Sequence, residues 1–161
     1  MRQRDTVRLV YAGPLEKGPS STVLGAYAEV ARRFPEVSLV ILAEGHAAVP
    51  AGASALPRVT VFAPTPAEDL AAVLGRCDVL LLPAGSDADD GVVRQACAFG
   101  LPALVTGEVG ARRLVADGKT GFAVRRADRE GWLRAIVRCL ALIEYAPSAW
   151  QRMRALCRHA A

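Results

Sequence analysis

Four consecutive apolar residues, Val79-Leu80-Leu81-Leu82, stand between Asp78 and Pro83. The run is too short for a helix and proline stops it, so it reads as a strand. With no polar position to turn towards water, that strand must be covered on both faces, the condition of a parallel sheet. Val37 to Leu42 repeats the pattern. Thr6 to Tyr11, Arg58 to Phe62, Ala103 to Val105 and Phe122 to Val124 read as four more strands.

Helical spacing fills the gaps between them. Val23, Leu24, Tyr27, Val30, Ala31 and Phe34 recur at i, i+3, i+4 behind Ser20 and Ser21, either of which can cap a helix that Pro35 ends. Thr65-Pro66-Ala67-Glu68 is a capping box with proline at the first helical position, leading to Leu70, Val73 and Leu74. Gly91 to Phe99 is a short helix, closed by Gly100 and Pro102. Asp128 caps a helix that turns Trp132, Leu133, Ile136, Val137 and Leu140 inward. After the break at Pro147, Ser148-x-x-Gln151 caps a last helix with Trp150, Met153 and Cys157 on its apolar side. Glu44 to Pro57 has no clear period and reads as a loop. Strand and helix in alternation predict an α/β Rossmann-like domain, with three α/β/α layers around a parallel sheet of about six strands. At 161 residues the chain reads as a single such domain, 1–161.

Charge and cysteine usage narrow the function classes. The formal net charge is +4, and 18 of the 20 basic residues are arginine. They alternate with apolar residues along presumed helices, as at Arg134, Arg138, Arg152 and Arg154, without interleaved aromatics. That pattern is a solvated helix face, so no nucleic-acid partner is expected, and nothing further supports attraction to an anionic membrane surface. No apolar run is long enough to span a bilayer, and no apolar core follows Met1-Arg2-Gln3-Arg4-Asp5, which predicts a cytoplasmic protein. Cys77, Cys97, Cys139 and Cys157 are widely spaced with no Cys-x-x-Cys pair and read as free buried thiols.

Chemistry concentrates in two loops that follow strands. Gly13-Pro14-Leu15-Glu16-Lys17-Gly18 puts a basic residue between the first strand and first helix, where a phosphate could meet a helix N-terminus; a solvated turn lysine is an equal reading on spacing alone. It is not a P-loop, and no Gly-x-Gly-x-x-Gly is present. Asp87, Asp89 and Asp90 crowd the loop before the helix that carries Gln95. One of them, Asp90 first, serves as an N-cap, and acids at a helix start are common on electrostatic grounds alone. Asp87-Ala88-Asp89 matches the metal-binding Asp-x-Asp of GT-A glycosyltransferases, but the rest of the chain does not follow that fold, and no metal site is expected. His46 and His159 have no nucleophile motif near them, so a hydrolase triad has no support. A flavodoxin-like or receiver domain fits poorly, since Asp5 precedes the first strand and no acidic pocket follows it.

Taken together, LVYAGPLEKG, VSLVILAEG, RVTVFAPTPAEDLAAVLGRCDVLLLP, QACAFGLPALVTGEVG and LVADGKTGFAV resemble, in order and spacing, the C-terminal domain of retaining GT-B glycosyltransferases of the glycogen-synthase and sucrose-synthase type. ACAFGLP is the most specific piece. The resemblance implies a domain that binds a nucleotide diphosphate sugar as donor substrate, with no further cofactor. It also implies an acceptor-binding domain that is absent from this chain or carried by a partner chain.

Carried over residue by residue, the resemblance puts Asp87 and Gln95 where the family has two glutamates eight positions apart. The first contacts the donor sugar and the second the ribose. Lys17 matches the lysine that neutralises the diphosphate, and Pro14 lies where an arginine is expected. Asp89 and Asp90 replace an aromatic-glycine pair, and Arg113 replaces an acidic residue. Phe62, Ala63 and Pro64 would pack against the base. The implied catalytic residues are therefore Asp87 and Lys17; the implied donor contacts are Gly13, Lys17, Ala63, Asp89, Asp90, Gly91, Val92 and Gln95. Two functions follow as expectations: the donor-binding half of a glycosyltransferase, inactive as an isolated chain, or a degenerate GT-B-like domain kept as a scaffold or interaction module.

Overall fold

The structure is a computed structural model that describes residues 6–12, 19–42, 53, 55–62, 67–83, 89–106, 114–125 and 128–160. Its strands are β1 (Val7–Ala12), β2 (Val37–Leu42), β3 (Val59–Phe62), β4 (Val79–Leu82), β5 (Ala103–Thr106) and β6 (Gly121–Val124). The helices are α1 (Pro19–Arg33), α2 (Ala67–Leu74), α3 (Asp89–Ala98), α4 (Arg129–Tyr145) and α5 (Pro147–Ala160). All five strand pairings are parallel, in the order β3-β2-β1-β4-β5-β6. The six strands and the α/β Rossmann-like architecture expected from the sequence are both present.

Strand alternation splits the core into two. Leu9, Tyr11, Leu39, Ile41, Val79, Leu81, Leu104 and Phe122 face α1 and α4. Val10, Leu80, Leu82, Ala103 and Val105 face the layer of α2 and α3, among Leu74, Val93 and Ala96. β4 and β5 are buried at every position, as the apolar runs Val79–Leu82 and 103–105 require, with Thr106 buried at the end of β5. α5 touches both cores: Trp150 and Met153 join the first and Cys157 the second.

Several helix ends differ from the sequence expectation. α1 starts at Pro19 and α5 at Pro147, so Ser20, Ser21 and Ser148 lie inside first turns rather than in front of them. In both cases the proline takes the first helical position, where its missing N–H costs nothing. α3 starts at Asp89, so Asp90 is within the helix and not its N-cap. The Asp128 expectation holds, with its carboxylate accepting from Gly131 N at 2.9 Å. Thr65 and Pro66 lie outside the described residues, and α2 follows directly at Ala67. α3 ends in a Schellman motif: Leu101 N donates to Ala96 O at 2.9 Å and Gly100 N to Cys97 O at 2.8 Å, with Gly100 at φ 72°.

One arginine does work that composition hid. Arg58 is left-handed at φ 56°, an uncommon state for a side-chain-bearing residue. Its guanidinium donates to Val37 O at 2.7 Å, Ala31 O at 2.6 Å and Phe34 O at 3.3 Å. A cation on the last carbonyls of α1 complements the negative end of that helix. Those bonds hold the strained backbone in place and align β3 with β2.

Candidate functional site at the carboxyl edge of the sheet

The chain leaves β1 towards β2 and β3, then crosses back to enter β4 on the other side of β1. β1 and β4 are hydrogen-bonded neighbours, in register from Leu9 with Val79 to Tyr11 with Leu81. Connections that leave adjacent strands in opposite directions make a topological switch point at their carboxyl ends, here at Ala12 and Leu82, the place where open α/β sheets bind ligands. The segments that follow those two strands lead into the N-termini of α1 and α3, whose unpaired N–H groups suit an anion.

The two helix ends are electrostatically unequal. α1 has no acid in its first turn. α3 opens with Asp89 and Asp90. A helix N-terminus carries roughly half a positive charge, which acids in the first turn offset.

Of the residues expected at the site, Gly13, Lys17, Ala63 and Asp87 lie outside the described residues, as do Pro14, Pro64 and Arg113. Phe62, expected against the base, ends β3 and is exposed, and the others share α3. Asp89 and Asp90 occupy its first turn, Gly91 is exposed, Val92 is half-buried, and Gln95 is exposed one turn further on. A Cβ built on Gly91 would meet nothing within 4 Å, so the helix surface is open there. Thr106, at the end of β5, is buried.

Among the described residues, a cavity lies elsewhere. It has a volume of about 520 Å³ and runs along the α2-facing side of β2 and β3. Two of its walls, Arg8 and Thr60, carried no functional reading from sequence. The available signal was a charged or polar residue on the otherwise apolar α2-facing positions of β1 and β3.

The thiols do not belong to the carboxyl edge as nucleophiles. All four cysteines are free and buried. Burial, then the neighbouring Asp78 carboxylate, pushes the Cys77 thiol up to about 11. Burial raises Cys139 to about 12. Cys157 donates to Thr120 O at 3.3 Å. A hydrogen bond with Cys97 and then burial raise Cys157, while the same bond lowers Cys97.

A pH dependence follows. For a thiol whose folded pKa lies above the unfolded 9.0, the folded state holds its proton more tightly. Stability is then fully present below pH 9 and is lost as pH rises, up to about 11 for Cys77 and about 12 for Cys139, at about 1.4 kcal/mol per pH unit for each thiol while it lasts. Denaturant melts from pH 7 to 11 should be level to about 9 and fall beyond it. Cys77→Ser and Cys139→Ser should each flatten the fall.

The chain matches the family model described as glycosyl transferases group 1 over residues 6–141. It is 29% identical over 154 residues to a D-inositol 3-phosphate glycosyltransferase of Corynebacterium urealyticum, an alignment covering 81% of this chain and 35% of the relative. The corresponding protein of Corynebacterium jeikeium is 29% identical over 160 residues, covering 84% and 38%. The chain thus spans little more than a third of the length of the curated relatives it matches.

Among solved structures, WaaG, a glycosyltransferase involved in lipopolysaccharide biosynthesis, aligns with a TM-score of 0.76 at 22% identity, over 96% of this chain and 42% of that one. Sucrose-phosphate synthase from Thermosynechococcus elongatus gives 0.76 at 21%, over 99% and 41%. The pneumococcal O-GlcNAc transferase GtfA, in complex with UDP and GlcNAc, gives 0.75 at 18%, over 98% and 32%. These structural likenesses carry the fold. Among the described residues, no helix is long and apolar enough to cross a membrane. With the family model covering most of its length, the chain belongs to the group 1 glycosyltransferases.

Proposed function

We propose that this domain is the donor-binding half of a glycosyltransferase. It grips a nucleotide diphosphate sugar at the carboxyl edge of β1 and β4, while a region outside this chain or a partner subunit binds the acceptor. The observation that carries the reading is the strand reversal between β1 and β4, with the acid-free N-terminus of α1 beside it, in a chain of this family. The neighbour crystallised with UDP and GlcNAc supports the ligand class. Lys17 is assigned to the diphosphate, whose departure it stabilises electrostatically, Asp87 to the sugar and Gln95 to the ribose. Gly13, Ala63, Gly91 and Val92 complete the donor contacts, and no metal is required. The reading places the domain in the cytoplasm, in keeping with four free thiols.

A second reading rests on one feature. The sequence puts two acids, Asp89 and Asp90, in the first turn of α3, which follows β4 at the donor edge. If their repulsion of a diphosphate outweighs Lys17 and α1, the domain is a degenerate scaffold.

Calorimetric titration with UDP, GDP, ADP and their sugars, with and without magnesium, separates the two. The donor reading expects saturable binding of one nucleotide. Lys17→Ala should then weaken it about tenfold or more, and Gln95→Ala several-fold, as for lost charged and neutral hydrogen bonds. Asp89→Asn with Asp90→Asn should tighten it. No binding to any of them, from a protein that melts cooperatively, establishes the scaffold reading.

A further inference from the structure

Parallel sheets are ordinarily covered on both faces, and among the described residues one face of this sheet carries an open groove. α1 and α4 cover one side. On the other, the buried layer of α2 and α3 reaches β2 at Leu42, and β2 and β3 present Ser38, Val40, Thr60 and Phe62 to a groove. Ser38 and Val40 are half-buried, Thr60 is exposed and Phe62 is 38% exposed. α2 forms the opposite wall through Ala72 and Val73. The volume of about 520 Å³ lies within the range of small-molecule sites, roughly 300–1,000 Å³.

The groove has a charged end. Arg8, Arg76 and Cys77 line both it and an adjoining cavity of about 260 Å³, whose other walls are Thr6, Gly75, Asp78 and Arg154. Three arginines thus line one cavity together with Asp78. Asp78 is buried and accepts the backbone N–H of Arg8 at 3.0 Å. Arg154 Nε donates to Gly100 O at 3.0 Å. Among the described residues, no carboxylate forms an ion pair with the side chain of Arg8 or Arg76. Both are exposed.

We propose that this groove binds a small amphiphilic anion of the alkyl or aryl phosphate class. Its apolar body lies along Val40, Thr60 and Val73, and its head group lies on Arg8 and Arg76. Paired guanidiniums favour phosphate, whose oxygens they engage in parallel hydrogen bonds. The volume of the groove and its charged end favour a small molecule over a protein segment. The head group sits at the amino ends of the strands, whereas the donor edge is at their carboxyl ends. A six-residue strand separates the two by roughly 16–20 Å. The site therefore stands or falls independently of the donor reading.

Octyl phosphate, below its micellar concentration, is the probe, titrated by calorimetry into the whole chain. Octanol and inorganic phosphate serve as its two halves. The expected result is saturable binding at one site, with each half at least tenfold weaker. Thr60→Trp, which fills the groove from an exposed position, and Arg76→Gln should each weaken octyl phosphate about tenfold. Lys17→Ala should leave it unchanged. The comparison of the three probes needs no variant, so a poorly folding substitution does not remove the test. No saturable binding, octanol binding as tightly as octyl phosphate, indifference to both groove variants, or association only with phosphatidylglycerol vesicles would each overturn the proposal.

Discussion

Gly121→Ala is expected to destabilise the domain by about 3 kcal/mol or more, lowering the melting temperature by roughly 6–12 °C. Gly121 opens β6 at φ 152°, a conformation that side-chain-bearing residues rarely adopt. A Cβ built there would collide with the carbonyl oxygen of Ala103 and lie 2.8 Å from its nitrogen. Ala103 is also the register partner of Gly121, so the obstacle is the backbone of the neighbouring strand and cannot rotate away.

The turn before it is equally tight. Gly118 N donates to Gly121 O at 2.8 Å, and Asp117 accepts from Ala123 N at 3.0 Å. Relief would mean pulling β6 off β5 and drawing Phe122 and Val124 out of the core. Gly91→Ala is the matched control. It sits inside α3 with open space around its missing Cβ, so alanine there should be neutral or stabilising by up to about 1 kcal/mol. Equal melting temperatures for the two variants would mean that β5 and β6 do not pair in this register.

Trp132→Ala should cost about 3–5 kcal/mol in denaturant unfolding. Trp132 is 1% exposed in the first turns of α4, in the core between that helix, α1 and the sheet. Removing an indole there leaves a cavity that two packed helices and a strand layer cannot close. Trp150 offers the contrast. It is 2% exposed, yet its indole Nε1 finds no acceptor among the described residues. Trp150→Phe keeps most of the apolar contact and removes an unsatisfied donor, so its cost should be far smaller. If both substitutions cost the same, the packing assigned to α4 is wrong.

The elements themselves were legible because their signals are local. VLLL between Asp78 and Pro83 had no alternative to a doubly covered strand, and it is buried at all four positions. Asp128 announced its helix three residues before Gly131 accepted the role of its bonding partner. Widely spaced cysteines in apolar runs are free and buried, as expected. The serine caps failed for an equally local reason: Pro19 and Pro147, with their fixed φ, compete for the first helical position and take it.

Sequence alone therefore determined the alternation of strands and helices, the need for a parallel sheet, and the α/β class. Period and breaker residues act within a few positions of themselves. Tertiary structure decided whatever depends on residues distant in the chain. The order of strands around β1 creates the switch point, and the approach of Ala103 demands a glycine at 121. Arg58 reaches the end of α1, 24 positions from Phe34. Arg8, Arg76 and Arg154 look like three unrelated surface charges along the chain, and only the crossover from β3 to β4 and the return of α5 bring them to one cavity. Periodicity cannot encode that meeting, because the free energy that favours it arises only when the layers pack.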